Sequence, residues 1–258
     1  MNIKDQNFLI TGANRGIGLG VCKMAAAEGA KLHLVSRQSM ADVGPELLKL
    51  GAKSVKFYTA DLSSQVGVEK LVKDLLGEKI DILFNNAGLL TGGLIEAQPL
   101  DEIYSMFQVN INALVHLSRG LIPGMIKRGH GKIINNSSVS AFMHFPCAST
   151  YAASKAAVVA FTDCIEAELT GTGVSTLCLI TPGIKTRMFD EIEVKYAKNF
   201  DIPKDSISTD DYALKIKKAI ISDDKYLLPD GATSVGLWLA RYLNPLFRSA
   251  VRKKFRRT

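Results

Sequence analysis

The chain has 258 residues, 47% hydrophobic and 22% charged, which fits one large α/β domain or at most two small ones and excludes a disordered or low-complexity protein. No apolar run reaches the roughly 18 residues of a membrane-spanning helix, and four scattered cysteines (Cys22, Cys147, Cys164, Cys178) with no C-x-x-C spacing speak against disulfides or a metal site. The formal charge of +7 sits in the tail, where seven bases from Arg241 to Arg257 follow Asp230 with no acid among them and the other 25 bases balance 25 acids, which argues against a general nucleic-acid-binding face.

The opening stretch carries an acid at Asp5 and enters a strand pattern directly, so no signal peptide is read there and a cytoplasmic, reducing location is expected. Along the chain, "NFLIT" (7–11), "KLHLVS" (31–36), "VKFYTA" (55–60), "IDILFNN" (80–86), "GKIINNSS" (131–138) and "VSTLCLI" (174–180) read as strands. They are rich in Val, Ile, Leu and Phe with little polar alternation, as strands covered on both faces should be. Helix-sized segments such as 17–28 and 99–128 separate them, and a shorter strand, "KYLLP" (225–229), closes the set. The alternation predicts an α/β fold, a Rossmann-type doubly wound parallel sheet flanked by helices on both faces. One domain over 1–230 is expected, followed by a helical tail over 231–258 that is both apolar and basic.

The first strand runs into "TGANRGIG" (11–18), where Gly12, Gly16 and Gly18 permit a tight turn and a close backbone approach at a helix start. Free N–H groups and the positive end of the helix dipole favour a pyrophosphate there. The spacing is G-x-x-x-G-x-G. An NAD site places an acid near the end of the second strand for the ribose 2′-hydroxyl. Between Lys31 and Ala41 there is none; Ser36 and Arg37 stand there instead, and Arg15 lies in the glycine turn. Two guanidinium groups and a hydroxyl suit a 2′-phosphate, so NADP(H) is favoured over NAD(H). Further on, "YAASK" (151–155) places Tyr151 and Lys155 at i and i+4, on one helix face, with only small residues between them.

Together with "NNAG" (85–88) and "NNSS" (135–138), these motifs make residues 5–230 resemble the short-chain dehydrogenase/reductase (SDR) family. The resemblance implies an NADP(H)-dependent oxidoreductase interconverting a carbonyl and an alcohol. It implies cofactor contacts from Gly12, Asn14, Arg15, Gly16, Ile17 and Gly18, from Ser36 and Arg37, and from Asp61 and Leu62 beside the adenine. Asn86, Ala87 and Gly88, then Tyr151 and Lys155, then Pro182, Gly183, Ile184 and Thr186 complete that set; the last segment is one residue shorter than the family's usual PG-x-x-x-T. The implied catalytic group is Asn110, Ser138, Tyr151 and Lys155. Tyr151 would be the acid/base, its pKa of roughly 10 lowered by Lys155 and by the oxidised cofactor's charge. Ser138 would hold the substrate oxygen, and Asn110 would organise a proton-relaying water.

Around that group, Phe142, Met143, His144, Phe145 and Cys147 are expected to wall an apolar substrate pocket. Met188, Ile192, Tyr196 and Phe200 recur every fourth residue, as in a lid helix within about 184–210. In the tail, Leu246, Phe247, Ala250, Val251 and Phe255 form one helical stripe, and Pro245 separates it from an earlier helix holding Trp238 and Leu239. Such a tail suits peripheral membrane contact, packing on its own domain, or a partner subunit. A homodimer through 99–128 and 151–170 follows from the resemblance, with a tetramer left open. The alternatives in function are a 3-oxoacyl-thioester (acyl-carrier) reductase and a low-turnover NADP(H)-binding redox sensor.

Overall fold

A computed structural model describes residues 1–40, 42–186 and 206–257. Seven parallel strands form one sheet in the order β3-β2-β1-β4-β5-β6-β7. They are β1 (Asn7–Thr11), β2 (Lys31–Ser36), β3 (Ser54–Thr59), β4 (Ile82–Asn85), β5 (Gly131–Asn136), β6 (Val174–Leu179) and β7 (Tyr226–Leu227). Helices α1 (Gly16–Ala27), α2 (Val43–Lys49), α3 (Gln65–Asp74), α4 (Leu100–Phe107), α5 (Ala113–Arg128), α6 (Ser149–Glu168) and α7 (Thr209–Ser222) connect or cover the strands. The chain then ends in α8 (Gly231–Tyr242) and α9 (Asn244–Lys254).

The apolar strands are buried on two sides. Phe8, Ile10, Leu32, Leu34, Phe84 and Leu177 pack with α1 and α7 on one face, while Leu9, Val35, Leu83 and Ile133 pack with α3 and α5 on the other. Near-continuous hydrophobic runs are what a doubly covered parallel sheet requires. β3 departs from the expectation of a fully buried strand: it is the edge, and Phe57 is exposed. The expected strand at 225–229 shrinks to two paired residues, Cys178 facing Tyr226 and Leu179 facing Leu227.

The helical stretch at 99–128 is interrupted. After Pro99, α4 ends at Phe107, and one π-helical turn, Gln108–Asn112, precedes α5. A π-turn places an extra residue in the turn and turns side chains out of helical register; here it carries Asn110. Gly129, at φ 62°, terminates α5. From β1 the chain winds outward to β2 and β3, then returns to β4 on the other side of β1. The crevice at the carboxyl ends of β1 and β4 is therefore the topological switch point, where doubly wound sheets bind ligands.

Candidate active site

The switch point opens into a cavity of about 1180 Å³. A belt of side chains fixes its floor. Thr11 Oγ1 accepts hydrogen bonds from the backbone N–H groups of Asn86 (2.9 Å) and Ala87 (3.0 Å), joining β1 to the turn after β4. Asn86 Nδ2 donates to Thr11 O at 3.0 Å, and Asn86 Oδ1 accepts from Asn136 Nδ2 at 3.0 Å. Thr181 Oγ1 in turn donates to Asn136 Oδ1 at 2.5 Å. Four successive strand ends are thus held in register by neutral groups that satisfy one another, as buried polar groups must be.

At one end the glycine turn enters α1. Gly12 and Gly16 have φ of 65° and 56°, the left-handed region in which a side chain is strained. Gly18 is required for space: a Cβ there would lie 2.1 Å from Gly12 O. The first turn of α1 carries no acid and receives no side-chain cap from Arg15. Its N–H groups are thus available to an anion. Arg15, Ser36, Arg37, Asp61 and Leu62 line this end of the cavity. Ser36 Oγ donates to Gln38 O, which shapes the turn after β2. Hydrogen bonds from the Ser63 hydroxyl and backbone N–H, with Arg37 nearby, hold the Asp61 carboxyl below the usual range.

At the other end Ser138 follows β5 and begins a short 3₁₀ turn, accepting from Ser140 N at 3.2 Å. Tyr151 lies in the first turn of α6 and lines the same cavity as Ser138. Lys155, one turn on, is buried; its Nζ donates to Asn136 O at 2.8 Å and lies 5.8 Å from the Tyr151 ring centroid. The proximity read from YAASK is present; the electrostatic consequence expected of it involves the oxidised cofactor as well as Lys155. Burial pushes the Tyr151 phenol up to about 12, and the Ser138 side chain offsets only part of that. Burial also pushes the Lys155 ammonium down to about 8, with an opposing pull from Cys178. In the protein alone, desolvation is the largest influence on both groups.

Asn110 and Gly18 stand just outside the cavity lining; the rest of the expected catalytic and cofactor-binding residues line it, including Gly12, Asn14, Gly16, Ile17, Ala87, Gly88, Pro182, Gly183, Ile184 and Thr186. Asn110 Oδ1 accepts from Leu89 N at 2.8 Å, and Nδ2 donates to Leu89 O (2.9 Å) and Ser154 Oγ (3.0 Å). It clamps the turn after β4 to α6, a task its sequence position did not reveal. Thr186 packs against the glycine turn: a Cβ on Gly16 would lie 3.3 Å from its methyl group.

Of the five residues expected to wall the substrate side, Met143 and Phe145 line the cavity. Phe142 instead lies under the Arg241 guanidinium, His144 reaches Ala141 O, and Cys147 is buried, because the loop also serves as the seat for the tail. The expected lid residues Met188, Ile192, Tyr196 and Phe200 lie outside the described residues. An isolated bridge from Ile184 to Ile207, with Lys185 N donating to Ile207 O at 2.9 Å, ties the chain on either side of that segment. Cavity residues absent from the sequence reading include Lys23, Asn136, Asp210, Ala232 and Thr233. Asn136 sits inside the NNSS motif without having been singled out, the others fall in no recognisable motif, and Ala232 and Thr233 arrive from the far end of the chain.

The tail divides its apolar stripe. Leu237, Ala240 and Val251 are buried, and Phe247 meets Phe145 edge-on with centroids 5.9 Å apart, whereas Trp238 and Leu246 are exposed. Part of the tail therefore packs on its own domain. Among the described residues no helix is long and apolar enough to cross a membrane, and no cluster of three or more His, Cys, Asp or Glu could hold a metal.

A glycine turn into a helix at the switch point of a doubly wound sheet, with Ser138, Tyr151 and Lys155 gathered at the end of the same crevice, defines a dinucleotide-binding type of α/β protein. Residues 6–197 match the family model described as short chain dehydrogenase. The chain is 32% identical over 225 residues to an uncharacterized oxidoreductase of Staphylococcus saprophyticus, covering 85% of this chain and 91% of the relative. It is 35% identical over 182 residues to the ketoacyl reductase HetN of Nostoc sp., covering 69% of this chain and 63% of that protein's length. Among solved structures, a Sphingobium yanoikuyae short-chain dehydrogenase in complex with NADPH superposes with a TM-score of 0.82 at 23% identity, covering 98% of this chain and 97% of that one. A Burkholderia phymatum short-chain dehydrogenase/reductase in complex with NAD gives 0.84 at 23% identity, covering 95% and 96%. The chain belongs to the short-chain dehydrogenase family of oxidoreductases.

Proposed function

We propose that this oxidoreductase uses NADP(H) to reduce a carbonyl on an apolar small molecule, with Tyr151 as proton donor. The observation that carries the reading is the convergence of Ser138, Tyr151 and Lys155 on the cavity that the glycine turn also lines. The bound nicotinamide supplies the hydride. Ser138 Oγ would orient the carbonyl oxygen, Tyr151 Oη would give that oxygen a proton, and Lys155 Nζ would hold the cofactor ribose hydroxyls. Burial keeps the Tyr151 phenol protonated, and an alkoxide is a far stronger base than a phenolate, so the phenol can serve as its proton donor.

Arg15 and Arg37 at the adenosine end, and the lack of any acid between Lys31 and Ala41, support NADP(H) over NAD(H). Met143, Phe145, Leu89 and Leu90 on the cavity wall support an apolar substrate. Helices α4 to α6 are the proposed homodimer face, and the cytoplasm is the proposed location. Tyr151→Phe, with NADPH oxidation followed over a panel of ketones and aldehydes, tests the mechanism. The expected loss is roughly a hundredfold to ten-thousandfold in kcat. Activity retained within a few fold removes Tyr151 from the mechanism, a lower KM for NADH than for NADPH reverses the cofactor assignment, and tight NADPH binding without turnover on any carbonyl supports the redox sensor.

A second reading, reduction of a 3-oxoacyl thioester, is favoured by the likeness to the ketoacyl reductase and by the basic tail, which would attract an acidic carrier protein. A kcat/KM for 3-oxoacyl carrier or coenzyme thioesters well above that for free ketones would select it.

A further inference from the structure

The exposed apolar side chains of the tail are not scattered. Val235, Trp238, Tyr242, Leu243 and Leu246 are between 38% and 66% exposed. Val235, Trp238 and Tyr242 follow one another at i, i+3 and i+7 along α8, opposite Leu237 and Ala240, which bury into the domain. The Trp238 and Tyr242 rings lie 5.9 Å apart. Leu243 and Leu246 extend this surface across the junction into α9, where Arg248, Arg252, Lys253 and Lys254 are also exposed. No acid follows Asp230.

Rings with an apolar body and a polar tip, flanked by cations, suit the headgroup layer of a bilayer, and anionic lipid adds attraction for each base. A second copy of this chain is a poorer occupant, because a two-fold contact between like tails would bring two sets of bases together. We propose that α8 and α9 form a docking surface for an anionic phospholipid bilayer, lying along it without crossing it. Ala232 and Thr233, in the first turn of α8, line the cavity, so docking sets one cavity wall beside the lipid.

Trp238 is the chain's one tryptophan, so its emission reports the contact directly. The full chain is titrated with phosphatidylcholine vesicles, with and without about a third phosphatidylserine, and co-sedimentation is measured in parallel. The expected result is a blue shift and pelleting with the anionic vesicles, weakened about tenfold or more by high salt or by omitting phosphatidylserine. Two variants keep the tryptophan, Tyr242→Ser with Leu246→Ser and Arg248→Glu with Arg252→Glu. Each should bind at least about tenfold more weakly while oxidising NADPH in solution as the parent does. Three results overturn the proposal: no pelleting with either vesicle, salt-independent binding equal on both, or burial of Trp238 by concentration-dependent self-association in sedimentation velocity. Vesicle binding is read without substrate or cofactor, so it stands or falls apart from the reaction proposed above.

Discussion

Lys155→Met separates the cost of the buried ammonium from its use. Lys155 is 5% exposed, and burial lowers its pKa from the ordinary 10.5 to about 8. Between those values the unfolded chain binds more protons than the folded protein, so stability rises with pH through this window. Below about 8 the penalty is fully present, on the order of 3 kcal/mol; by about pH 9.5 it has fallen to roughly 1.4 kcal/mol. Methionine removes the charge and keeps an unbranched stem, at a pH-independent cost for leaving Asn136 O without its 2.8 Å donor. Whatever that constant, the stability of the natural protein relative to the variant should rise by about 2 kcal/mol between about pH 7 and about pH 9.5. Urea unfolding of both cofactor-free proteins across that range measures it, because other groups titrating there are common to the two. A difference that stays flat with pH, or moves in favour of the variant as pH rises, refutes the assignment of a desolvated, depressed ammonium.

Gly18→Ala places a methyl carbon 2.1 Å from Gly12 O, so the turn must shift; calorimetry should show a loss of about 1–3 kcal/mol together with weaker NADPH binding, and an unchanged Tm would show that the turn relaxes freely. Asn110→Ala strips both backbone partners from Leu89 and should cost about 3 kcal/mol in urea unfolding; a loss under about 1 kcal/mol means that water replaces the clamp. Asp223→Ala removes the counter-charge of the buried Lys132 ammonium, 2.5 Å away; because the Asp223 side chain is 58% exposed and Ser175 Oγ remains a partner, the loss at neutral pH should be about 1–2 kcal/mol. Lys132 holds the Asp223 carboxyl below its ordinary 3.8, so the stability it contributes is present above that value and disappears as pH falls through the lower, folded pKa. Acid unfolding curves of parent and variant should therefore converge.

The sheet was legible because its strands are buried on both faces, and burial on both faces leaves an uninterrupted apolar run. β3 reads the same way in sequence and yet lies at the edge, since Val55, Phe57 and Tyr58 carry no mark of which neighbours they will have. The site was legible where spacing alone makes geometry: Tyr151 and Lys155 must share a helix face. What spacing cannot supply is the surroundings. The phenol's upward shift depends on how much water the fold removes around it, and the Asn86–Asn136–Thr181 belt joins strands far apart in the chain. The π-turn that delivers Asn110 to Leu89 likewise has no signature among Gln108, Val109 and Ile111.

Ala232 and Thr233 reach the cavity from the last helices, whereas the glycine turn, Ser138 and Tyr151 reach it from strand ends deep in the sheet. Two parts of the polypeptide far apart in sequence thus meet across one opening, the second of them held to the sheet through Leu237, which packs with Cys178 and Ile180. Remodelling the final helices would reshape what the opening admits, and because Phe142 and Phe145 rest against Arg241 and Phe247 the change would be passed on to the loop between Ser138 and Tyr151.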